Sequence, residues 1–365
     1  MADLECGIVG LPNVGKSTLF NALTKKGIPS ENYPFCTIDP HVGIVEVPDP
    51  RLNKLHEMTK SKKIIFPTMT FIDIAGLVKG AASGEGLGNK FLSNIRETHA
   101  IIHVVRCFEN EDVIHVEGRI DPIDDIQTIE LELILADLQM CENALVKLEK
   151  QAKGKKGLEP SLDALRFVRD QLNENLPVRR IQLSDEQKDV LKIYNFLTAK
   201  PVIYLTNVDE ASLPSMENDY VKKVRAYAEK EGSSVIPICA QLEQELASLS
   251  NEEAMEYLQS LGLQETGLAR LIRASYELLG LMTFFTSGEQ ETRGWTIPKN
   301  TKAPEAAGKI HTDIQKGFIR AETIGYNDFI KCGSRPAAKE AGLARIEGKE
   351  YIVKDGDVIL FFHNQ

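Results

Sequence analysis

The octapeptide Gly10-Leu-Pro-Asn-Val-Gly-Lys-Ser17 constrains this chain more than any other feature. It follows Cys6-Gly-Ile-Val-Gly10, an apolar run that predicts a short buried strand. It precedes Ser17-Thr-Leu-Phe-Asn-Ala-Leu23, whose apolar spacing predicts a helix. A GxxxxGK[ST] turn between a strand and a helix is a phosphate cradle. The glycines let successive backbone N–H groups turn inward around phosphate oxygens. The helix N-terminus adds partial positive charge. Lys16 then reaches the terminal phosphates, and the Ser17 hydroxyl is placed to ligate Mg²⁺. The expected contacts are Asn13, Val14, Gly15, Lys16, Ser17 and Thr18.

Such a turn belongs to a parallel sheet, and the chain carries further strands to build one. Gly43-Ile-Val-Glu-Val47, Thr68-Met-Thr-Phe-Ile-Asp73, Ala100-Ile-Ile-His-Val-Val105, Pro201-Val-Ile-Tyr-Leu205 and Ser234-Val-Ile-Pro-Ile238 alternate with helical segments. That alternation predicts a doubly wound α/β fold. Residues 123–199 interrupt it. Leu131, Leu135, Leu138, Leu145 and Leu148 form one apolar stripe, and Leu162, Leu165, Val168 and Leu172 form another across the break Lys153-Gly-Lys-Lys-Gly157. This predicts an inserted helical hairpin or coiled coil, projecting about 37 Å for about 25 residues. From residue 281 short strands and turns mark a small β-rich domain, in which Trp295 reads as a core residue.

Two motifs complete the phosphate site. Asp73-Ile-Ala-Gly76 lies at a strand end, 57 residues after Lys16. The Asp73 carboxylate can hold Mg²⁺ through water, and the Gly76 N–H can reach a γ-phosphate. Thr37, in Tyr33-Pro-Phe-Cys-Thr37, can add a hydroxyl to the same ion. The base-reading segment is Thr206-Asn-Val-Asp-Glu210. Guanine readers carry Asn-Lys-x-Asp, whose Asp accepts two guanine N–H groups. Here Asn207 fits, Val208 replaces the Lys and Glu210 replaces the Asp, which misplaces the carboxylate by a methylene. The Asn207 amide can instead serve adenine N6 and N7. ATP is therefore expected over GTP, with a GTPase using the same site left open.

Net charge −10 argues against a wholly basic nucleic-acid wrapper. No apolar run is long enough for a membrane span. The six cysteines form no CxxC pair and read as reduced thiols, and the N-terminus lacks a signal peptide's cations, so the expected location is the cytoplasm. Lys147, Lys150, Lys153, Lys155 and Lys156 crowd the hairpin tip, a local excess suited to RNA phosphates, and Lys309, His311, Lys316 and Arg320 form a smaller cluster.

These motifs, with Asn32–Pro40, Asp73–Gly80, Gly84-Glu-Gly-Leu-Gly-Asn89, Asn207–Glu210 and Ala306–Asp313, resemble the YchF subfamily of Obg-like ATPases, in the translation-factor class of P-loop NTPases. The resemblance runs along essentially the whole chain. It implies a nucleotide-binding G-domain (1–122 with 200–280), an inserted helical arm (123–199) and a C-terminal TGS domain of β-grasp type (281–365). It also implies Mg²⁺-dependent, slow ATP hydrolysis and association with ribosomes, with the large subunit and RNA as partners for the arm and TGS domain. Where relatives in the wider class place a water-orienting Gln after DxxG, this chain has Leu77. The resemblance points to His115, in Val113-Ile-His-Val-Glu117, as the replacement beside Lys16 in catalysis. It also points to a K⁺ ion held near Asn13. A regulatory binding protein in which hydrolysis is incidental is the remaining alternative.

Overall fold

The computed structural model describes residues 4–25, 41–74, 87–110 and 119–364. Its first seven strands are β1 (Glu5–Val9), β2 (Val42–Glu46), β3 (Lys63–Ile65), β4 (Thr68–Asp73), β5 (Ala100–Arg106), β6 (Val202–Asn207) and β7 (Ser234–Ile238). Six of them form a sheet in the order β2-β4-β1-β5-β6-β7. β1, β5, β6 and β7 pair in parallel. β5 and β6 are buried at every residue, which is why they read as continuous apolar runs rather than alternating ones. The chain leaves β1 for β2 on one side and later returns to β5 on the other. That switch point places the carboxyl ends of β1, β5 and β6 around one crevice, the usual ligand position in such sheets.

The chain divides into two compact units. One holds Leu4–Gly43 with Phe71–Arg270, and the other holds Ile44–Thr70 with the chain from Leu271 onward. The arm belongs to the first. Its long helix, Pro122–Ala152, starts where Asp121 accepts from the N–H groups of Ile123 and Asp124 and Pro122 takes the first helical position. It packs against the helix Glu159–Asn173 through Ile134, Cys141 and Leu145 on one side and Leu162, Leu165, Val168 and Leu172 on the other. The seam keeps Leu138, Leu145 and Leu148 of the expected stripe but differs at its start: Leu131 and Leu135 are 44% and 42% exposed, while Ile134 and Cys141 are buried. The helix has two partners in succession. Its first turns bury Ile126, Ile129 and Leu133 in the unit's main body and its later turns meet the hairpin mate, so no single leucine stripe stays inside.

The second unit carries β8 (Leu281–Ser287), β9 (Glu291–Pro298), β10 (Phe318–Gly325), β11 (Arg345–Glu347) and β12 (Asp357–His363), in the order β11-β10-β12-β8-β9-β3. The stretch between β2 and β4, expected within the nucleotide domain, packs in this unit instead. β3 adds in parallel to the edge strand β9. The helix Pro50–Thr59 buries Leu52 and Leu55 against Phe285, Ile324, Phe329 and Val358. Arg51 joins Asp49 to Asp355 at 2.9 and 2.7 Å. An amphipathic helix announces that it has an apolar face, but not which core will cover it. Trp295 is half-buried, stacked on Phe284 and covered by the Arg293 guanidinium at 3.9 Å.

Candidate nucleotide site

The Gly10–Ser17 turn closes at the end of β1, and the helix Lys16–Lys25 begins within it, Leu19 N–H donating to the Gly15 carbonyl at 3.0 Å. Two positive φ angles, +64° at Asn13 and +94° at Gly15, make the backbone turn inward. Gly15 is also sterically required. A Cβ there would lie 2.2 Å from Asn207 Nδ2, far inside contact distance. Val14 is fully buried, so its side chain anchors the turn from below.

Asn207 ties the turn to the rest of the crevice. Its Nδ2 donates to the Val14 carbonyl at 2.9 Å, and its Oδ1 accepts from the Ala240 N–H at 3.0 Å. One buried amide thus links the loop after β1 to the loop after β7 across the end of β6. On the other side, Lys16 Nζ forms an ion pair with Asp73 Oδ1. Asp73 is held by its own N–H, which donates to the His41 carbonyl at 2.8 Å. Cation and carboxylate, 57 residues apart in the chain, therefore meet where a terminal phosphate would lie.

The turn, Lys16 and Asn207 border a cavity of about 630 Å³ lined by Gly10–Asn13, Gly15–Thr18, Phe108, Asn110, Asn207, Ala240 and Gln241. No carboxylate is among them. Val208 is buried with its N–H on the Ile238 carbonyl, Asp209 accepts from the Ser212 hydroxyl at 2.8 Å, and Glu210 is exposed. The expected contacts at Thr37, Gly76 and His115, and the residue Leu77, lie outside the described residues.

Four lining residues escaped the sequence reading: Phe108, Asn110, Ala240 and Gln241. Each follows the end of a buried parallel strand, β5 or β7, and that position was the available signal. Behind them lies Arg106, which is 1% exposed. Its guanidinium donates to the Phe108 and Asn110 carbonyls, both at 3.2 Å, and covers the Phe108 ring at 4.6 Å. Burial depresses its basicity, and the nearby Asp125 charge offsets this in part. Arg106 thus shapes one wall of the cavity without lining it.

The donor set suits Mg²⁺. A serine hydroxyl and one carboxylate are hard oxygen ligands, and no group of three or more His, Cys, Asp or Glu among the described residues is arranged as a closed metal cage. Mg²⁺ in phosphoryl-transfer sites takes one or two protein oxygens and fills its shell with phosphate and water.

A phosphate-cradling turn, a strand-end carboxylate and a parallel sheet with a switch-point crevice define a P-loop nucleotide-binding protein. Residues 5–137 match a family described as 50S ribosome-binding GTPase. Residues 281–364 match the YchF-GTPase C-terminal family, described as a protein of unknown function. The chain is 55% identical over 361 residues to the Ribosome-binding ATPase YchF of Haemophilus influenzae, and 54% identical over 364 residues to that of Bacillus subtilis, covering 99% of each chain in both cases. Its fold matches that of the Schizosaccharomyces pombe YchF GTPase with a TM-score of 0.89 at 39% identity, over 99% of this chain and 98% of that one. The chain belongs to the YchF family.

Proposed function

We propose that this chain binds ATP with Mg²⁺, hydrolyses it slowly to ADP and phosphate, and uses the cycle as a switch on ribosomes in the cytoplasm. The observation that carries the reading is the Lys16–Asp73 ion pair at the Gly10–Ser17 turn, whose Lys16 and Ser17 line the cavity. Backbone N–H groups of the turn and the Lys16 ammonium stabilise charge building on the transferred phosphoryl group. Ser17 and Asp73, with Thr37 from its loop, would hold Mg²⁺, which neutralises charge on the phosphate oxygens. Gly76 offers its N–H to the γ-phosphate. Leu77 cannot hydrogen-bond a water, so positioning of the nucleophile falls to His115, whose neutral imidazole can accept its proton. Asn13 would hold a K⁺ ion at the phosphates.

Among the described residues no carboxylate lines the cavity, which supports the preference for ATP, since guanine presents N1–H and N2–H donors that need one. Asn207 contributes less to base choice than its residue type suggests. Both ends of its amide are engaged, leaving one N–H for a ring nitrogen. Val208, next in the chain, is proposed as a further nucleotide contact. The S. pombe relative is named a GTPase, so the GTP reading has its own support. Competition of the two triphosphates on purified protein decides between them. Titration of the Lys16→Ala protein tests the site itself. We expect loss of triphosphate uptake, and unchanged uptake would overturn the reading.

Ribosome association is supported by the bacterial relatives, which are named ribosome-binding ATPases. The exposed tip lysines Lys147, Lys150, Lys153, Lys155 and Lys156 support RNA of the large subunit as the partner, together with the C-terminal domain, read as TGS. Among the described residues, no helix is long and apolar enough to cross a membrane. Co-sedimentation with ribosomes in each nucleotide state is the direct check.

A further inference from the structure

The loop after β5 supplies two residues to the wall of the nucleotide cavity, Phe108 and Asn110. The Arg106 fork holds the carbonyls of these two. Cys107 and Glu109, which alternate with them in the chain, are held by other groups. The Cys107 N–H donates to the Asn207 carbonyl at 2.8 Å. Its carbonyl accepts from Asn218 Nδ2, also at 2.8 Å. Glu109 Oε1 accepts from the Tyr220 hydroxyl at 2.5 Å. Asn218 and Tyr220 stand at the start of the helix Asp219–Glu229, two residues apart, and they grip loop residues that are also two apart. Holding the residues on both sides of Phe108 fixes the peptide planes that flank it, and with them the direction of its side chain.

Asn218 uses the two ends of one carboxamide for separate tasks. Its Oδ1 accepts from the Val221 N–H at 3.0 Å and caps the helix. Asp, Ser and Thr cap helices as well, but only Asn among them carries a separate N–H donor beside the accepting oxygen. That donor reaches the cavity loop, 111 residues earlier in the chain. Its other neighbour, Ser212 Oγ, is 3.5 Å away, and the Ser212 hydroxyl already donates to Asp209 at 2.8 Å. Helix capping alone would leave the amide N–H without a task. Both side chains are half-buried, and neither lines the cavity.

We propose that Asn218 and Tyr220 are positioning residues for nucleotide binding. They act through Cys107 and Glu109 to hold Phe108 and Asn110 as a wall of the occupied cavity. The proposal rests on the ATP reading above and gives that wall a second support besides Arg106.

The test uses the full chain with Mg²⁺ and triphosphate, read by calorimetric titration and steady-state hydrolysis. Asn218→Ser keeps an oxygen at the helix cap but is too short to reach the Cys107 carbonyl. It should raise Kd and KM about fivefold or more, with kcat and the melting point near those of the unmodified protein. Tyr220→Phe keeps the ring and removes the donor to Glu109, and should raise KM about threefold. Asn218→Ala also loses the cap. It should lower the melting point, yet raise KM no further than Asn218→Ser does. Lys230→Ala, at the exposed far end of the same helix, should leave KM within about twofold. A loss of folded protein lowers kcat through the active fraction and leaves KM alone, so this split separates positioning from stability. An unchanged KM in Asn218→Ser or in Tyr220→Phe would overturn the proposal for that residue. A KM that follows the melting point, shifted in Asn218→Ala but not in Asn218→Ser, would reduce Asn218 to a helix cap. The variants are compared on the triphosphate that the unmodified protein binds more tightly. A GTP preference there overturns the ATP reading and leaves the positioning comparison standing.

Discussion

Gly15 and Asn207 touch, and that contact joins the phosphate cradle to the base end of the cavity. Gly15→Ala would place a methyl 2.2 Å from Asn207 Nδ2 on a backbone at φ +94°. We expect it to abolish triphosphate binding and to cost about 1–3 kcal/mol of stability, read by calorimetric titration and a denaturant melt. Arg106→Lys keeps the charge but cannot span the Phe108 and Asn110 carbonyls with one planar fork. Nucleotide affinity should fall by about tenfold, with the melting point lowered as well, and equal affinity would deny Arg106 its bracing role. His103, in the middle of β5, is a separate case. Burial first, and the Arg179 charge second, push its pKa down to about 3. The folded protein therefore holds this imidazole neutral, while the unfolded chain takes a proton below about pH 6.5. The unfolded state then binds more protons, so stability falls as pH drops from about 6.5 toward 3, by up to about 1.4 kcal/mol per pH unit. His103→Gln should flatten that part of the stability–pH curve, and an unchanged slope would place the acid sensitivity elsewhere.

Among the elements, the arm helix shows how tertiary partners override a stripe read from spacing. The leucines gave the right element, since apolar residues recur at helical intervals over many turns. They gave most of the seam, since Leu138, Leu145 and Leu148 pack there, but Leu131 and Leu135 face outward while Ile134 and Cys141 are buried against the hairpin mate. The helix is fastened at its base by Asp137, which accepts from two backbone N–H groups and from the Thr198 hydroxyl at 2.7 Å. Asp137→Ala would leave both buried N–H groups without acceptors, and we expect a loss of about 2–5 kcal/mol in chemical denaturation. A loss below about 0.5 kcal/mol, typical of a surface change, would show that water replaces the carboxylate. Nearby, Arg179 pairs with Glu130 of the helix and with Glu231 at 3.2 Å, and Tyr204 of β6 donates to Glu231 at 2.6 Å. Such a network is invisible in sequence, because its charged members each look like ordinary surface residues.

At the scale of the whole molecule, the second unit is built from two stretches that are distant in the chain. Ending the protein at residue 280 would strip β3 of β9 and uncover Leu52 and Leu55, worth together about 3–6 kcal/mol of burial. We expect low soluble yield and strong binding of a hydrophobic dye, whereas a truncated chain with a sharp melt would show that 44–70 can be covered without the C-terminal strands. Sequence alone determined the Gly10–Ser17 cradle, its strand-then-helix setting and the presence of an inserted helical pair. These are specified by residues a few positions apart, through glycine φ freedom, a helix N-terminus and apolar periodicity. Only the tertiary structure decided that Phe108 and Ala240 wall the cavity, that Asn207 spends its amide on Val14 and Ala240, which side of the arm is inside, and that 44–70 completes a distant core. Each of those depends on which surfaces meet after the chain has closed long loops, and local spacing carries no record of that choice.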